Sequence, residues 1–290
     1  MNISASLVKE MRERTGLGMM ECKKALTEAG GDIEAAIDLV RKAGAARADK
    51  KAGRTAADGA IILTVSADGR CMALTEVNSE TDFVAKDDNF LAFAGAVGQL
   101  VLEQGPADVE QLLGLPMDGG TVEQARQQLV AKIGENIRVR RFVRRESAGV
   151  LGSYVHGSRI GVLVELEGGD AGLARDIAMH IAASRPLCVS AEQIPADVLA
   201  REKEIYDAQA AESGKPEEIR AKMVEGRLRK YAAEVTLLGQ PFVKDPEMTV
   251  EQLLKKAGAR VIGFDRLEVG EGIDKQADDF VAEVMKQARG

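Results

Sequence analysis

Residues 79–87 read Ser79-Glu80-Thr81-Asp82-Phe83-Val84-Ala85-Lys86-Asp87, one large aromatic beside an acid in an otherwise polar stretch. Two kinds of chemistry suit that arrangement. Phe83 can fold back as a hydrophobic staple on the helix that follows. It can equally stand out as a rigid wedge, held between a strand and a helix and offered to a partner. The residues alone favour the staple and leave the wedge open.

Other candidates for chemistry are few. Of the two histidines, His180 falls on the apolar stripe of a helix, where a hydrogen-bonded core histidine is expected. His156 falls at a hairpin tip with no nucleophile or metal-ligand spacing beside it. The acid pairs Asp87-Asp88 and Asp278-Asp279 sit at helix starts, where they complement the dipole and cap. Gly16-Leu17-Gly18 follows no strand, and Gly214-Lys215 runs into Pro216, so neither forms a phosphate loop. Cys22, Cys71 and Cys188 are odd in number and far apart, as expected of reduced thiols in the cytoplasm rather than a disulfide or zinc framework. These residues assemble no active site, and no covalent chemistry, cofactor or metal is expected.

The strand Arg138–Arg145 carries five arginines and could track phosphates. The alternative is a solvated sheet face balanced by cross-strand acids such as Glu76. A formal charge of −7 favours that balance and disfavours a general nucleic-acid or anionic-membrane binder. With no Trp and three Tyr, aromatic platforms for base stacking are also scarce. No apolar run approaches a membrane span of about 18 residues, and no signal peptide is visible.

The elements that would position these residues repeat. A head of three short helices starts at Ser4 and Asp32 caps, with Met19, Cys22 and Leu26 forming one face of the second. Residues 41–54 follow, six basic against one acid, and read as a solvated tether. Hairpins are expected at Ala60–Asn78 and Val150–Glu167, turning at Asp68-Gly69 and Gly157-Ser158. Aligning Arg70 with Arg159 also aligns Leu74 with Leu163 and Glu76 with Glu165. Each hairpin leads to an amphipathic helix, one striped by Phe90, Ala94, Val97 and Val101, the other by Leu173, Ile177 and Ile181. Thr-Val-Glu-Gln then opens a helix at Thr121 and again at Thr249, at a larger offset. The second copy therefore holds an insertion, and Pro195–Val235 supplies it as an antiparallel helical hairpin turning at Ser213-Gly214-Lys215. A last helix is expected over Asp274–Arg289. The expected fold is α+β: separate docking surfaces without a single deep pocket.

Four segments, SLVKEMRERTGLGMMECKKAL, ETDFVAKDDNF, GSYVHGSRIGVLVE and GFDRLEVGEGI, occur in this order along nearly the whole chain. Together they resemble the bacterial elongation factor Ts family, cytoplasmic exchange factors for the GTPase elongation factor Tu. The resemblance implies a ubiquitin-associated-like helical head with its basic linker (1–54) and two similar core subdomains with small antiparallel sheets. The first subdomain is 55–146 and the second is 147–190 with 236–269. It also implies a helical-hairpin dimerisation insertion (191–235) and a C-terminal helical module (270–290). It assigns Thr81, Asp82, Phe83 and Val84 to dislodging Mg²⁺ from the GTPase, and His156 to a secondary partner contact. Homodimerisation through the hairpin is the remaining implied contact; neither a membrane nor a nucleic acid is expected as a partner.

Overall fold

The computed structural model describes residues 3–274. The helix expected over Asp274–Arg289, with its acid pair Asp278-Asp279, lies outside them apart from Asp274. Residues 3–62, 75–142 and 269–274 form one compact unit; 63–74 and 143–268 form the other.

The head consists of α1 (Ala5–Thr15), α2 (Met19–Glu28) and α3 (Ile33–Lys51). Ser4 accepts from the Leu7 N–H and Asp32 from the Ala35 N–H, so both expected caps form. Gly16 ends α1 at φ 66°, a conformation that costs glycine little. Met11, Cys22, Leu26 and Ala36 fill the small core. Met19 does not join it: as the first residue of α2 it lies ahead of the packed face and is 61% exposed.

The tether expected over 41–54 is also corrected. Most of it is the second half of α3, which packs against α6 of the same unit (Val122–Ile133). Gly44 and Ala48, one turn apart, make a small-residue stripe that buries there. Ala, Arg and Lys are strong helix formers, and their charges fit the solvent side.

The rest is a duplication. In the first copy β1 (Asp58–Val65) and β2 (Cys71–Ser79) form a hairpin, followed by α4 (Asp88–Gln104) and α5 (Val109–Gly114). A two-stranded ribbon of β3 (Pro116–Met117) and β4 (Gly120–Thr121) leads into α6, and β5 (Arg138–Glu146) completes a sheet in the order β1-β2-β5. In the second copy β6 (Val150–His156) and β7 (Ile160–Glu167) lead to α7 (Ala171–Ser184), then the inserted helices α8 (Ala196–Ala211) and α9 (Glu217–Val235). Another ribbon, β8 (Pro241–Phe242) and β9 (Asp245–Thr249), leads into α10 (Val250–Lys256), and β10 (Arg260–Glu268) completes the antiparallel sheet β10-β7-β6. In both copies the third strand pairs with the hairpin's second. Both Thr-Val-Glu-Gln helices open with a full capping box, Thr121 with Gln124 and Thr249 with Gln252. The expected stripes pack as well: Phe90, Ala94, Val97 and Val101 are inaccessible, as are Ile177 and Ile181, while Leu173 at the start of its helix is half-buried. A Cβ at Gly152 would lie 2.5 Å from Ala174, so glycine there lets α7 lie directly on β6.

The arm of α8 and α9 stands where the first copy has only residues 105–115. Its root is tied. The Leu187 N–H donates to Val235 O, and Cys188 and Val189 accept from the Leu237 and Leu238 N–H groups. The arm's two ends therefore meet in a short parallel bridge, Cys188 with Thr236. Replacing Pro195–Val235 with a short Gly/Ser loop is expected to leave one cooperative thermal transition, because few core side chains leave with it. Loss of the transition from the whole protein would make the arm part of the core.

Candidate functional site

The connection from β2 to α4 spans 80–87, eight residues; the matching connection from β7 to α7 spans only 168–170. The longer one holds the Thr-Asp-Phe-Val segment. Its ends are fixed. Asp87 caps α4 by accepting from the Asn89 and Phe90 N–H groups. The Asn89 side chain, with those two amides, holds the Asp87 carboxyl below its usual range, and Lys132 adds to the effect. At the other end Ser79 is fully buried and its hydroxyl donates to Thr81 O (2.9 Å). Residues Val84–Lys86 make one 3-10 turn, with Ala85 buried beneath it.

Thr81 is held by Glu135, from the turn after α6. Its N–H donates to Glu135 Oε2 (3.0 Å) and its hydroxyl to Oε1 (2.7 Å). The same hydroxyl accepts from the Val84 N–H (3.4 Å). Glu80 accepts from the Asn136 N–H (2.6 Å) and from Arg54 (3.3 Å). Asp82 pairs with Lys86 (2.7 Å) on the surface. Between these anchors Phe83 is 81% exposed in helical backbone, φ −66° and ψ −47°. A staple would bury that ring against α4, so the staple favoured by the residues alone is not formed. Thr81, Asp82, Phe83 and Val84 thus share one anchored turn. Glu135 was not legible as a member of it: it lies 54 residues from Thr81, and no local pattern marks it.

His156 belongs to the other unit. It ends β6 at the hairpin tip, exposed, with Nδ1 3.0 Å from the Tyr154 hydroxyl. Together with Ile160, Met179, Val243 and Arg266 it borders a groove of about 510 Å³ in that unit. His180 is the expected core histidine. It is fully buried, Nδ1 accepts from the Val243 N–H (3.1 Å), and Nε2–H therefore donates to Gln240 (2.9 Å). Burial keeps its pKa below the ordinary value, against a smaller opposing effect of the Gln240 bond.

Four of the five arginines of β5 are engaged by acids, Arg144 by Glu146 of its own strand, and among the described residues only Arg138 departs from the balanced reading. Arg140 and Arg141 both reach Glu76, at 3.0 and 2.6 Å, and Arg145 pairs with Glu165 and Asp265. Glu76 is no solvated partner, however: it is fully buried and also accepts from Asn78 and the Gly270 N–H. Gly270 has φ 73°, and a Cβ there would meet Ala57 O at 2.2 Å, so only glycine brings that amide in. All three cysteines are free. Among the described residues no cluster of three or more His, Cys, Asp or Glu could hold a metal, and no helix is long and apolar enough to cross a membrane.

Comparison with known proteins adds a family. A family model described as elongation factor TS matches residues 80–271. Over the full length of both chains, the sequence is 62% identical to an elongation factor Ts of Thioalkalivibrio sulfidiphilus and 61% identical to one of Alkalilimnicola ehrlichii. An elongation factor Ts of Legionella pneumophila is 57% identical over 99% of each chain.

Proposed function

Because the chain belongs to the elongation factor Ts family and is thereby a translation elongation factor, we propose that it is the nucleotide exchange factor of the GTPase elongation factor Tu. It binds the GDP-loaded GTPase in the cytoplasm, displaces Mg²⁺ by inserting Thr81–Val84, releases GDP and lets GTP rebind. It forms and breaks no covalent bond. The observation that supports this reading is Phe83, a large aromatic held out in water by a turn anchored on both sides.

The energetics need no contact with the nucleotide. A GTPase holding GDP at nanomolar affinity has about −12 kcal/mol of binding free energy, part of it through the metal. A factor that binds the empty GTPase more tightly than the loaded one weakens GDP by that same ratio. Phe83 suits this role because its turn is ordered before docking, so little entropy is lost on insertion. The Asp82–Lys86 pair is exposed and itself contributes at most about 1 kcal/mol. His156 is the secondary contact, in the other unit. The head (1–54), the subdomains (55–146; 147–190 with 236–269) and the tail module (270–290) supply docking energy. The 191–235 arm serves self-association.

Release of labelled GDP from elongation factor Tu, followed with and without this protein, tests the reading. Acceleration that saturates with added factor is expected. An unchanged release rate in the presence of a stable complex would overturn it.

A further inference from the structure

We propose that Glu135 is a positioning residue for the Thr81–Val84 segment: its carboxylate fixes Thr81 and thereby aims Phe83. This rests on the exchange reading above and adds the element that holds the wedge.

Three observations converge. First, both carboxylate oxygens are used on one residue, Oε2 on the Thr81 N–H and Oε1 on its hydroxyl, and that hydroxyl accepts in turn from the Val84 N–H. A single chain of hydrogen bonds therefore runs from Glu135 to both sides of Asp82-Phe83. Secondly, the clamp is reciprocal. Glu80 accepts from the Asn136 N–H while Glu135 accepts from the Thr81 N–H, so the pairs 80–81 and 135–136 exchange carboxylate-to-amide bonds. Such charge-assisted bonds are stronger and more directional than neutral ones. The base is firm: Gly134, at φ 86°, turns the chain sharply out of α6, and α6 packs against α3.

The third observation is an internal comparison. In the second copy the turn after the Thr-Val-Glu-Gln helix is Gly258-Ala259, where the first copy has Gly134-Glu135. There the three-residue connection lies directly on the turn: a Cβ at Gly168 would be 2.6 Å from Gly258 O. Both copies thus rest the connection on this turn. Only the copy with the long connection places a carboxylate there, although the capping boxes and strand order are kept. A purely structural need of the repeat would call for the acid in both.

The test uses the full chain and labelled GDP release from elongation factor Tu, with maximal rate and half-saturating concentration measured separately beside a melting curve. Glu135→Gln keeps shape but leaves one acceptor for two donors. It is expected to lower the maximal rate about tenfold, as for loss of one bond to a charged group, with half-saturation within about twofold. Glu135→Ala combined with Thr81→Ala should be no slower than the slower single variant, since one clamp is lost in each. Wild-type maximal rates for both Glu135 variants, beside a slow Phe83→Ala, would overturn the role of Glu135 and leave the wedge standing. A wild-type rate for Phe83→Ala would overturn the exchange reading itself, and this inference with it. A rate loss at Glu135 that is matched by loss of folded protein would overturn the positioning role in favour of a structural one.

Discussion

Phe83→Ala is expected to slow maximal GDP release by roughly ten- to a hundredfold, the equivalent of about 1.5–3 kcal/mol for a large apolar side chain no longer buried in the partner. The variant's own melting temperature should scarcely move. An aromatic that is 81% exposed contributes little to its own fold, and substitutions at such sites stay within about 0.5 kcal/mol. Complex formation should persist through the other docking surfaces, so half-saturation changes less than the maximal rate. Asp82→Ala should act in the same direction, and the double variant should fall short of the sum because one insertion is lost in both. Lower free Mg²⁺ should partly rescue each variant, since metal loss then depends less on the wedge. Release at saturating factor with a melting curve for each variant decides the matter. Unchanged release per folded molecule would remove Phe83 from the mechanism.

Glu76→Gln is expected to cost about 2–4 kcal/mol of stability. The carboxylate is inaccessible and serves Arg140, Arg141, Asn78 and the Gly270 amide, so its loss strands several donors at once. The estimate sits at the lower side of the range for broken buried pairs because both arginines are partly exposed and can regain water. Burial alone would raise the Glu76 pKa, but the bonds from Gly270, Arg141, Asn78 and Arg140 outweigh it, and the net shift is downward. A depressed carboxylate stabilises the fold fully above its unfolded value, ordinarily about 4.5. That contribution is lost as the pH falls from there through the folded value. Thermal melts between about pH 7 and pH 3 should therefore show an acid-side loss in the wild type that is smaller in Glu76→Gln. A variant that melts like the wild type at neutral pH would refute the hub.

The repeat and its helices were legible because they rest on local periodicity and capping. Phe90, Ala94, Val97 and Val101 sit at helical spacing, and Thr121 and Thr249 each precede a glutamine by three residues. An aromatic beside an acid in a polar stretch marked Thr81–Val84, and family resemblance assigned its role, but the fate of Phe83 was not local. It depends on Thr81 being held by Glu135, 54 residues away, and a staple and a wedge look alike until that bond is known. The basic stretch after the head misled for a different reason. Its six basic residues suggested a tether, whereas Gly44 and Ala48 mark the contact of α3 with α6, and small residues announce themselves poorly. The arginine strand is balanced by acids at four of its five arginines, but its chief partner, Glu76, is buried. Burial of an acid follows from which amides converge on it, and the Gly270 N–H lies 194 residues away.

The tied root of the helical arm has a consequence for how far this chain can vary. Closing a chain segment costs entropy that grows only with the logarithm of its length, about 0.6 kcal/mol for each doubling. Here the ends are closed by the bridge of Cys188 with Thr236 and the amides of Leu187, Leu237 and Leu238, whatever lies between them. The helices beyond that bridge also make their own hydrogen bonds and pack on each other. Adding or removing whole turns in register therefore changes the reach of the arm by about 5.4 Å per turn at little cost to the fold. Arm length is thermodynamically almost a free variable, open to change without rebuilding the core beneath it.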